Sequence, residues 1–130
     1  SIYQAIKYEI VPDEKEIICR KLKEWVDKDG IDLILTSGGT GIGPRDVTPE
    51  ATKEVIEKEL PGFVEAMRIK GLEKTPFSML SRAIAGTRKK SLIINLPGSP
   101  KAVKENLEVV LPAVKHGIEI LKGEISKCGR

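Results

Sequence analysis

The sequence contains few aromatic residues, one histidine and two cysteines. Aromatic side chains make up 4% of its 130 residues, His116 is the single histidine, and Cys19 and Cys128 lie far apart without a C-x-x-C pair. Zinc sites need several such ligands, so this composition argues against one. We expect both thiols to be reduced, as in a cytoplasmic protein, and the core to consist mainly of Ile, Leu, Val and Ala.

Long apolar runs and a strong charge of one sign are also missing. No apolar stretch reaches the ~20 residues that span a bilayer, and no basic, apolar leader opens the sequence. The 22 basic and 19 acidic residues give a net charge of +3 and are interspersed, which does not favour a nucleic-acid-binding face. With 40% hydrophobic and 32% charged residues, the sequence predicts one folded cytoplasmic domain over residues 1–130, with no nucleic-acid or membrane partner.

Helical and strand patterns alternate along the chain, which is typical of α/β proteins. Apolar residues at helical spacing, bounded by proline, glycine and capping residues, predict the helices, and short β-branched runs predict the strands. A hairpin turn or a tight entry into a strand is expected at residues 89–90. The predicted strands are 5–11, 31–35 and 91–96, and the predicted helices are 14–28 (capped by Asp13), 48–60, 61–72, 78–85 and one from about 100 onwards.

Two loops, 36–47 and 97–100, follow two of these strands, which are expected to be parallel, and both loops lead into helices. In open α/β sheets, ligands bind at the carboxyl ends of the strands. The two loops are therefore the predicted location of a binding site.

The first loop is rich in glycine, so its backbone N–H groups can approach an anion closely and form a concave nest. Two hydroxyl groups and an arginine add further donors. The motif is neither G-x-x-x-x-G-K-[ST] nor G-x-G-x-x-G, and a glycine-rich connection without a ligand is the alternative. The predicted phosphate-binding residues of this loop are Ser37, Gly38, Gly39, Thr40, Gly41 and Arg45.

Two aspartates, Asp46 and Asp13, are candidate metal ligands. Asp46 follows the glycine-rich loop, and Asp13 follows the end of the first predicted strand. A carboxylate beside a phosphate site is favourable when Mg²⁺ lies between them, because Mg²⁺ takes carboxylate and phosphate oxygens together. The alternative for each aspartate is the cap of the helix that follows it.

The second loop offers Pro97, Gly98, Ser99 and Pro100, and Lys101 follows in the first turn of the last predicted helix. Gly98 permits close approach of a ligand, and Ser99 can donate at a helix start. Lys101 is either a phosphate ligand or a solvated surface charge. Two weaker candidates are Ser81 and Arg82, since Arg82 can hold an anion or form a salt bridge.

Several segments together resemble the molybdenum-cofactor biosynthesis domain family, which includes molybdopterin adenylyltransferases, molybdenum-cofactor biosynthesis protein B and the N-terminal domain of gephyrin. The resemblance covers residues 8–121, and its glycine-rich signature is the most specific part. The matching segments are V-P-D-E at 11–14, T-S-G-G-T-G at 36–41, R-D-V-T-P-E at 45–50, L-P-G-F at 60–63, L-S-R at 80–82 and N-L-P-G-S-P-K at 95–101.

This resemblance implies a three-layer α/β/α sandwich around a mostly parallel sheet. It implies adenylation of molybdopterin by ATP with Mg²⁺ and release of pyrophosphate, followed by transfer of the product to a molybdate-insertion enzyme. Trimers or hexamers are implied as well. The two carboxylates that the family requires match Asp13 and Asp46, and its phosphate and pterin loops match residues 37–41 and 97–100.

The sequence departs from the family at its start. Family members begin with a strand, a Ser-Asp loop and a helix ahead of the segment that opens this sequence, so this unit is expected to be missing from it. Two other functions stay open. One is a non-catalytic molybdopterin carrier or scaffold, and the weaker one is a relative of competence-damage-type proteins that act on nicotinamide nucleotides.

Overall fold

The structure is a computed structural model that describes residues 3–124, and Cys128 lies outside them. Helices and strands alternate, as the sequence predicts. The helices are α1 (Lys15–Lys23), α2 (Thr48–Val55), α3 (Pro61–Leu72) and α4 (Pro100–Leu121), with a π-helical turn at Glu24–Lys28 and a 3-10 turn at Pro76–Leu80. The strands are β1 (Leu33–Ser37), β2 (Lys58–Glu59), β3 (Ala85–Arg88) and β4 (Ser91–Leu96).

The four strands form one mixed sheet in the order β1-β4-β3-β2. β1 and β4 are parallel, as predicted, whereas β3 is antiparallel to both β4 and β2. The two-residue connection at Lys89 and Lys90 forces this reversal, because parallel strands need a long crossover. The predicted α/β fold is confirmed, and the described part of its sheet has one parallel and two antiparallel pairs.

Two apolar cores cover the two faces of the sheet, which gives the predicted three layers. α3 and α4 pack against Leu92, Ile94 and Leu96 of β4, and α1 and α2 pack against Ile34 of β1 and Ile93 of β4. Successive side chains of a strand point to opposite faces, so β4 supplies both cores. All six of its residues are buried.

The predicted strand at 5–11 is wrong. This segment has no strand partner among the described residues, and Ile6, Tyr8 and Ile10 are 70%, 85% and 82% exposed. Ion pairs of Lys7 with Asp29 and of Glu9 with Lys21 connect it to the following helical region instead. Because a strand exists only through its hydrogen-bonded neighbour, β-type residues alone do not produce one.

Two predicted helix boundaries are also wrong. The helix expected over 48–60 ends at Val55, because Ile56 is extended and the chain turns into β2. The helix expected over 78–85 does not form: the 3-10 turn ends at Leu80, residues 81–84 have no regular secondary structure, and β3 begins at Ala85. A Cβ at Gly86 would lie 2.5 Å from the Lys58 carbonyl oxygen. Gly86 therefore permits close packing of β3 on β2 and does not end a helix.

Cys19 is a buried thiol whose Sγ donates to the Ala51 carbonyl oxygen and to Glu54 Oε2, both at 3.3 Å. Burial raises its pKa to about 11, so the thiol is protonated at neutral pH. Over residues 3–124, no helix combines the length and the hydropathy that crossing a membrane requires.

Stability at acidic pH is expected to depend on Asp27, which accepts from Arg88 Nε and Nη2 at 3.0 Å. The hydrogen bond from Arg88, followed by that from Lys89, lowers the pKa of Asp27 from 3.8 to about 2. Since the folded-state pKa is depressed, this stabilisation is present above the unfolded-state pKa and is lost as the pH falls from about 4 to about 2.

Urea unfolding of the wild type and Asp27→Asn checks this expectation. The variant is less stable at pH 6, and the difference shrinks as the pH falls to 2.5. Asp32→Asn removes an exposed partner of Lys122 and is the control, with little expected effect on the free energy of unfolding. An Asp27→Asn difference that stays constant across this pH range contradicts the assignment.

Candidate functional site

The two predicted site loops meet at one edge of the sheet. Ser37 and Leu96 are in register at the carboxyl ends of the parallel strands β1 and β4. The Gly38 N–H donates to the Leu96 carbonyl oxygen at 2.9 Å, and Ser37 Oγ donates to the Pro97 carbonyl oxygen at 3.0 Å. A Cβ at Gly98 would lie 3.6 Å from Gly38 Cα, so the loops touch through their glycines.

The glycine-rich loop leaves several backbone donors available. Gly38 and Gly39 have φ of +89° and +70°, in the left-handed region that favours glycine. A side chain at Gly39 would also collide with Thr48 Oγ1 at the start of α2. Within the described part of the chain, the N–H groups of Gly39, Thr40 and Gly41 have no acceptor. Three consecutive free N–H groups suit an anion.

The Asp46 carboxylate lies over the next part of this loop. Its Oδ2 accepts from the Gly43 N–H at 2.9 Å, and its own N–H donates to the Gly43 carbonyl oxygen at 3.0 Å. A Cβ at Gly41 or Gly43 would lie 2.9 or 3.0 Å from Oδ2. These two glycines therefore make room for the carboxylate, and Asp46 Oδ1 has no hydrogen-bond partner in residues 3–124.

Asp13 is not the N-cap of α1, so the helix-cap alternative given for this residue is wrong. The N-cap is Glu14, and its side chain makes no capping hydrogen bond. The Glu14 N–H donates to the Pro12 carbonyl oxygen at 2.8 Å. Because of this turn, the helix begins one residue later than predicted. Asp13 is exposed, and it lines a cavity that also reaches Ser37 and Gly38. Both aspartates therefore border the glycine-rich loop.

Cavities lie on both sides of this loop. The smaller one, of about 360 Å³, lies between the segment 7–13 and β1 and includes Gly38. The larger one, of about 820 Å³, opens between α3, the 3-10 turn and α4 and reaches Thr40, Gly41 and Pro97. A molecule in either cavity can present a phosphate group to the glycine-rich loop. The smaller cavity thus reaches the loop at Ser37 and Gly38, and the larger one reaches it at Thr40 and Gly41.

The larger cavity combines apolar and charged walls. Val64 and Met67 of α3 contribute apolar surface and Arg68 contributes positive charge, whereas Lys74 is ion-paired at 3.2 Å with Glu105, which lines the same cavity. Arg68 Nη1 donates to the Ser81 carbonyl oxygen at 3.1 Å, which holds the guanidinium at the cavity wall. Such a lining suits a flat organic ring with an anionic group.

Among the remaining predicted residues, two serines accept hydrogen bonds from the backbone and two cations are exposed. Ser99 Oγ accepts from the Ala102 N–H at 3.1 Å and is the N-cap of α4. Ser81 Oγ accepts from the Ala83 N–H at 3.3 Å. Arg45 and Lys101 are exposed and make no ion pair within the described ranges, so both cations are available to a ligand. Their roles in binding stay predictions, as do those of Pro97, Gly98 and Pro100.

Arg82 is committed to contacts inside the protein. Its guanidinium donates to the carbonyl oxygens of Gly41 and Asp46 and forms an ion pair with Glu50. The salt-bridge alternative of the sequence analysis therefore describes its main contacts. Its role as a direct anion ligand stays a prediction that these contacts do not favour.

Asn95 is a residue that the sequence analysis missed. It is fully buried, and its Nδ2 donates to Thr36 Oγ1 and to Thr52 Oγ1, both at 2.9 Å. Its Oδ1 accepts from the Ile84 N–H at 3.1 Å. Asn95 thus connects β1, α2 and the chain entering β3 directly beneath the site. A polar residue inside an otherwise apolar strand was the available signal.

Three-ligand metal sites are absent from the described chain. No group of three or more His, Cys, Asp or Glu side chains within residues 3–124 is placed to hold a metal ion. Mg²⁺ is commonly held by one or two carboxylates together with substrate phosphates. The unpartnered oxygen of Asp46 and the exposed Asp13 fit that mode of binding.

Comparison with known proteins gives consistent results. A family model described as "Probable molybdopterin binding domain" matches residues 2–116. The molybdopterin adenylyltransferase of Helicobacter pylori is 51% identical over 116 residues, which is 89% of this chain and 66% of that protein. The molybdopterin adenylyltransferase of Escherichia coli is 50% identical over 113 residues, 84% of this chain and 58% of that protein. The chain thus spans about two thirds of the length of these curated relatives, or less.

Solved structures agree in fold. The molybdopterin biosynthesis enzyme MoaB from Thermus thermophilus is 53% identical with a TM-score of 0.84, over 92% of this chain and 76% of that one. A MogA structure is 40% identical with a TM-score of 0.86, over 92% of this chain and 78% of that one. The helices and the sheet that carry the two loops therefore have close counterparts.

Proposed function

Because the chain belongs to the family of probable molybdopterin-binding domains, we propose that it transfers an adenylyl group from ATP to molybdopterin and releases pyrophosphate. The observation that supports this most is the glycine-rich loop, which both cavities reach and which carries three free N–H groups and the Asp46 carboxylate. Relatives about 50% identical over most of the chain are named molybdopterin adenylyltransferases.

The reaction requires little covalent participation by the protein. A phosphate oxygen of molybdopterin attacks the α-phosphorus of ATP in line, a new P–O–P bond forms, and the bond to the β-phosphate breaks. Catalysis then depends on positioning and on neutralising charge. The free N–H groups of residues 39–41 are placed to bind phosphate oxygens, and Arg45 and Lys101 are candidates to hold the pyrophosphate charge.

Magnesium is proposed as the accompanying ion. Asp46 and Asp13 would hold it together with substrate phosphate oxygens, and it would neutralise part of the phosphate charge. The same carboxylates without a cation would repel the phosphates. Their position at the anion nest is therefore consistent with a bound divalent cation.

The two cavities support binding of two substrates at once. The larger cavity, with its apolar wall and the Arg68 guanidinium, accommodates an organic ring, and both cavities reach the glycine-rich loop. We propose that one substrate occupies each cavity and that their phosphates meet at residues 38–41.

The resemblance to the family also suggests a wider setting for the enzyme. We propose a cytoplasmic homo-oligomer, a trimer or a hexamer, that passes its product to a molybdate-insertion enzyme. Exposed apolar side chains on α3 and the 3-10 turn support an interface with another chain. They are Ile69, Leu72, Phe77, Met79 and Leu80.

Calorimetric titration tests the two-substrate arrangement and distinguishes it from a carrier or scaffold. A non-hydrolysable ATP analogue with Mg²⁺ is titrated into the protein with and without saturating molybdopterin. We expect one site for each ligand and no competition between them. Competition between the ligands, or molybdopterin binding without any nucleotide binding, contradicts the proposal, and the second result favours the carrier.

A further inference from the structure

Arg82 connects the two ends of the segment that carries Asp46. Its backbone N–H donates to the Thr40 carbonyl oxygen at 2.8 Å. Its Nε donates to the Gly41 carbonyl oxygen at 2.7 Å, and its Nη2 donates to the Asp46 carbonyl oxygen at 2.8 Å. One side chain thus holds the residues immediately before and after the turn at 42–45.

Glu50 holds the guanidinium in this orientation. Nη1 and Nη2 of Arg82 both face its carboxylate, with Nη2 3.4 Å from Oε1. The hydrogen bond from Arg82 lowers the pKa of Glu50, so the carboxylate is charged at neutral pH. Glu50 lies in the first turn of α2, and the glycine-rich loop is thereby fixed to that helix.

All three guanidinium nitrogens therefore have acceptors within the protein. An arginine that binds a phosphate needs at least part of its planar fork free. Arg82 has that fork turned toward two carbonyl groups and a carboxylate. Its contacts are those of a residue that shapes the loop.

We propose that Arg82 is a positioning residue, which holds Gly41 and Asp46 so that the free N–H groups and the Asp46 carboxylate face the same substrate phosphate. This inference rests on the proposed adenylyl transfer and deepens it. It assigns the geometry of the anion nest to a side chain about 40 residues further along the chain, which touches neither substrate.

Lysine is the informative substitution. Arg82→Lys keeps the positive charge and the ion pair with Glu50, but one ammonium group cannot reproduce the fork that reaches Gly41 and Asp46 simultaneously. Glu50→Gln leaves the arginine in place and removes the charge that orients it. A positioning role predicts the same kind of defect from both changes.

Arg88 provides a matched control at the other end of the sheet. It also joins separate elements, since Nη1 donates to the Val55 carbonyl oxygen at 3.0 Å and two nitrogens pair with Asp27. Arg88→Lys therefore measures what the loss of a structural arginine does to stability and to activity when the site loops are untouched.

Steady-state kinetics with ATP, Mg²⁺ and molybdopterin give the first readout. We expect Arg82→Lys to lower kcat about 100-fold, because a misplacement of about 1 Å at a reacting centre has that effect, with little change in the KM for ATP. We expect Glu50→Gln to lower kcat in the same way, and the kcat of the double variant to be no lower than that of Arg82→Lys. Arg88→Lys is expected to keep the wild-type kcat. A raised KM for ATP with an unchanged kcat in Arg82→Lys, together with wild-type kinetics in Glu50→Gln, identifies Arg82 as a direct ligand of ATP. That result overturns the proposal.

Hydrogen exchange gives a readout that does not need activity. The amides of Gly43 and Asp46 are hydrogen-bonded within the turn, and we expect them to exchange about tenfold faster in Arg82→Lys, the factor that corresponds to one lost hydrogen bond. Arg88→Lys leaves them unchanged. Unchanged exchange of these two amides in Arg82→Lys overturns the proposal. If the wild type transfers no adenylyl group, the proposed function is refuted, and the exchange measurement still decides whether Arg82 positions the loop.

Discussion

Asp46→Asn is expected to lower adenylyl transfer by at least about 100-fold, the size of effect seen when one charge-stabilising group is removed from a reaction centre. The substitution keeps the shape of the side chain and an oxygen that can accept from the Gly43 N–H. It removes the negative charge that the proposed Mg²⁺ site requires. Rates of pterin-dependent adenylyl transfer for the variant and the wild type measure the loss.

Two further measurements separate this role from a structural one. Molybdopterin binding and the midpoint of thermal unfolding are expected to stay close to the wild-type values, because the turn at 43–46 keeps its hydrogen bonds. Asp32→Asn, which removes an exposed carboxylate at the opposite end of β1, should leave transfer unaffected. Loss of pterin binding together with a lowered unfolding midpoint would count against a charge-based role for Asp46.

Asn95→Ala is expected to lower the free energy of unfolding by about 3 kcal/mol. The substitution leaves the partly buried Ile84 N–H without its acceptor and opens a cavity at a fully buried position. An orphaned buried donor costs about 1–3 kcal/mol, and the lost packing adds to this. Urea unfolding monitored by circular dichroism measures the change.

Asn106→Ala is the matched control for this substitution. Its Nδ2 donates to the Ala102 carbonyl oxygen at 2.7 Å within α4, and no second element depends on it. A change well below 1 kcal/mol is expected there, since alanine is the better helix former. Thr52→Val, which removes one acceptor of Asn95 Nδ2, should fall between the two. If Asn95→Ala is no more harmful than Asn106→Ala, the network does not stabilise the fold as described.

The helices and strands that were predicted correctly are those whose sequence signals are local and do not depend on contacts with distant residues. The strand at 91–96 is confirmed residue for residue, because it is mostly apolar and is buried on both faces. The start of α4 at Pro100 is confirmed as well, since the Ser99 cap and the following proline are local signals. The segments 5–11 and 78–85 failed because strand pairing and the packing of Gly86 against Lys58 depend on distant residues.

The candidate site shows the same division. The parallel pairing of the two strands that precede the loops was predicted and is confirmed, and it brings the loops together, with Ser37 Oγ donating to the Pro97 carbonyl oxygen. The function of Gly41 and Gly43 as space for the Asp46 carboxylate was not predictable, because it depends on how the turn folds back. The partners of Arg82 were equally hidden, since all of them lie within residues 41–50, more than 30 residues earlier in the chain.

Adenylyl transfer is decided by pyrophosphate release from ATP and Mg²⁺, measured with and without molybdopterin. We expect release only when the pterin is present, with one adenylated molybdopterin formed for each pyrophosphate. Saturable binding of the pterin without any pyrophosphate release would contradict adenylyl transfer and identify the chain as a carrier or scaffold.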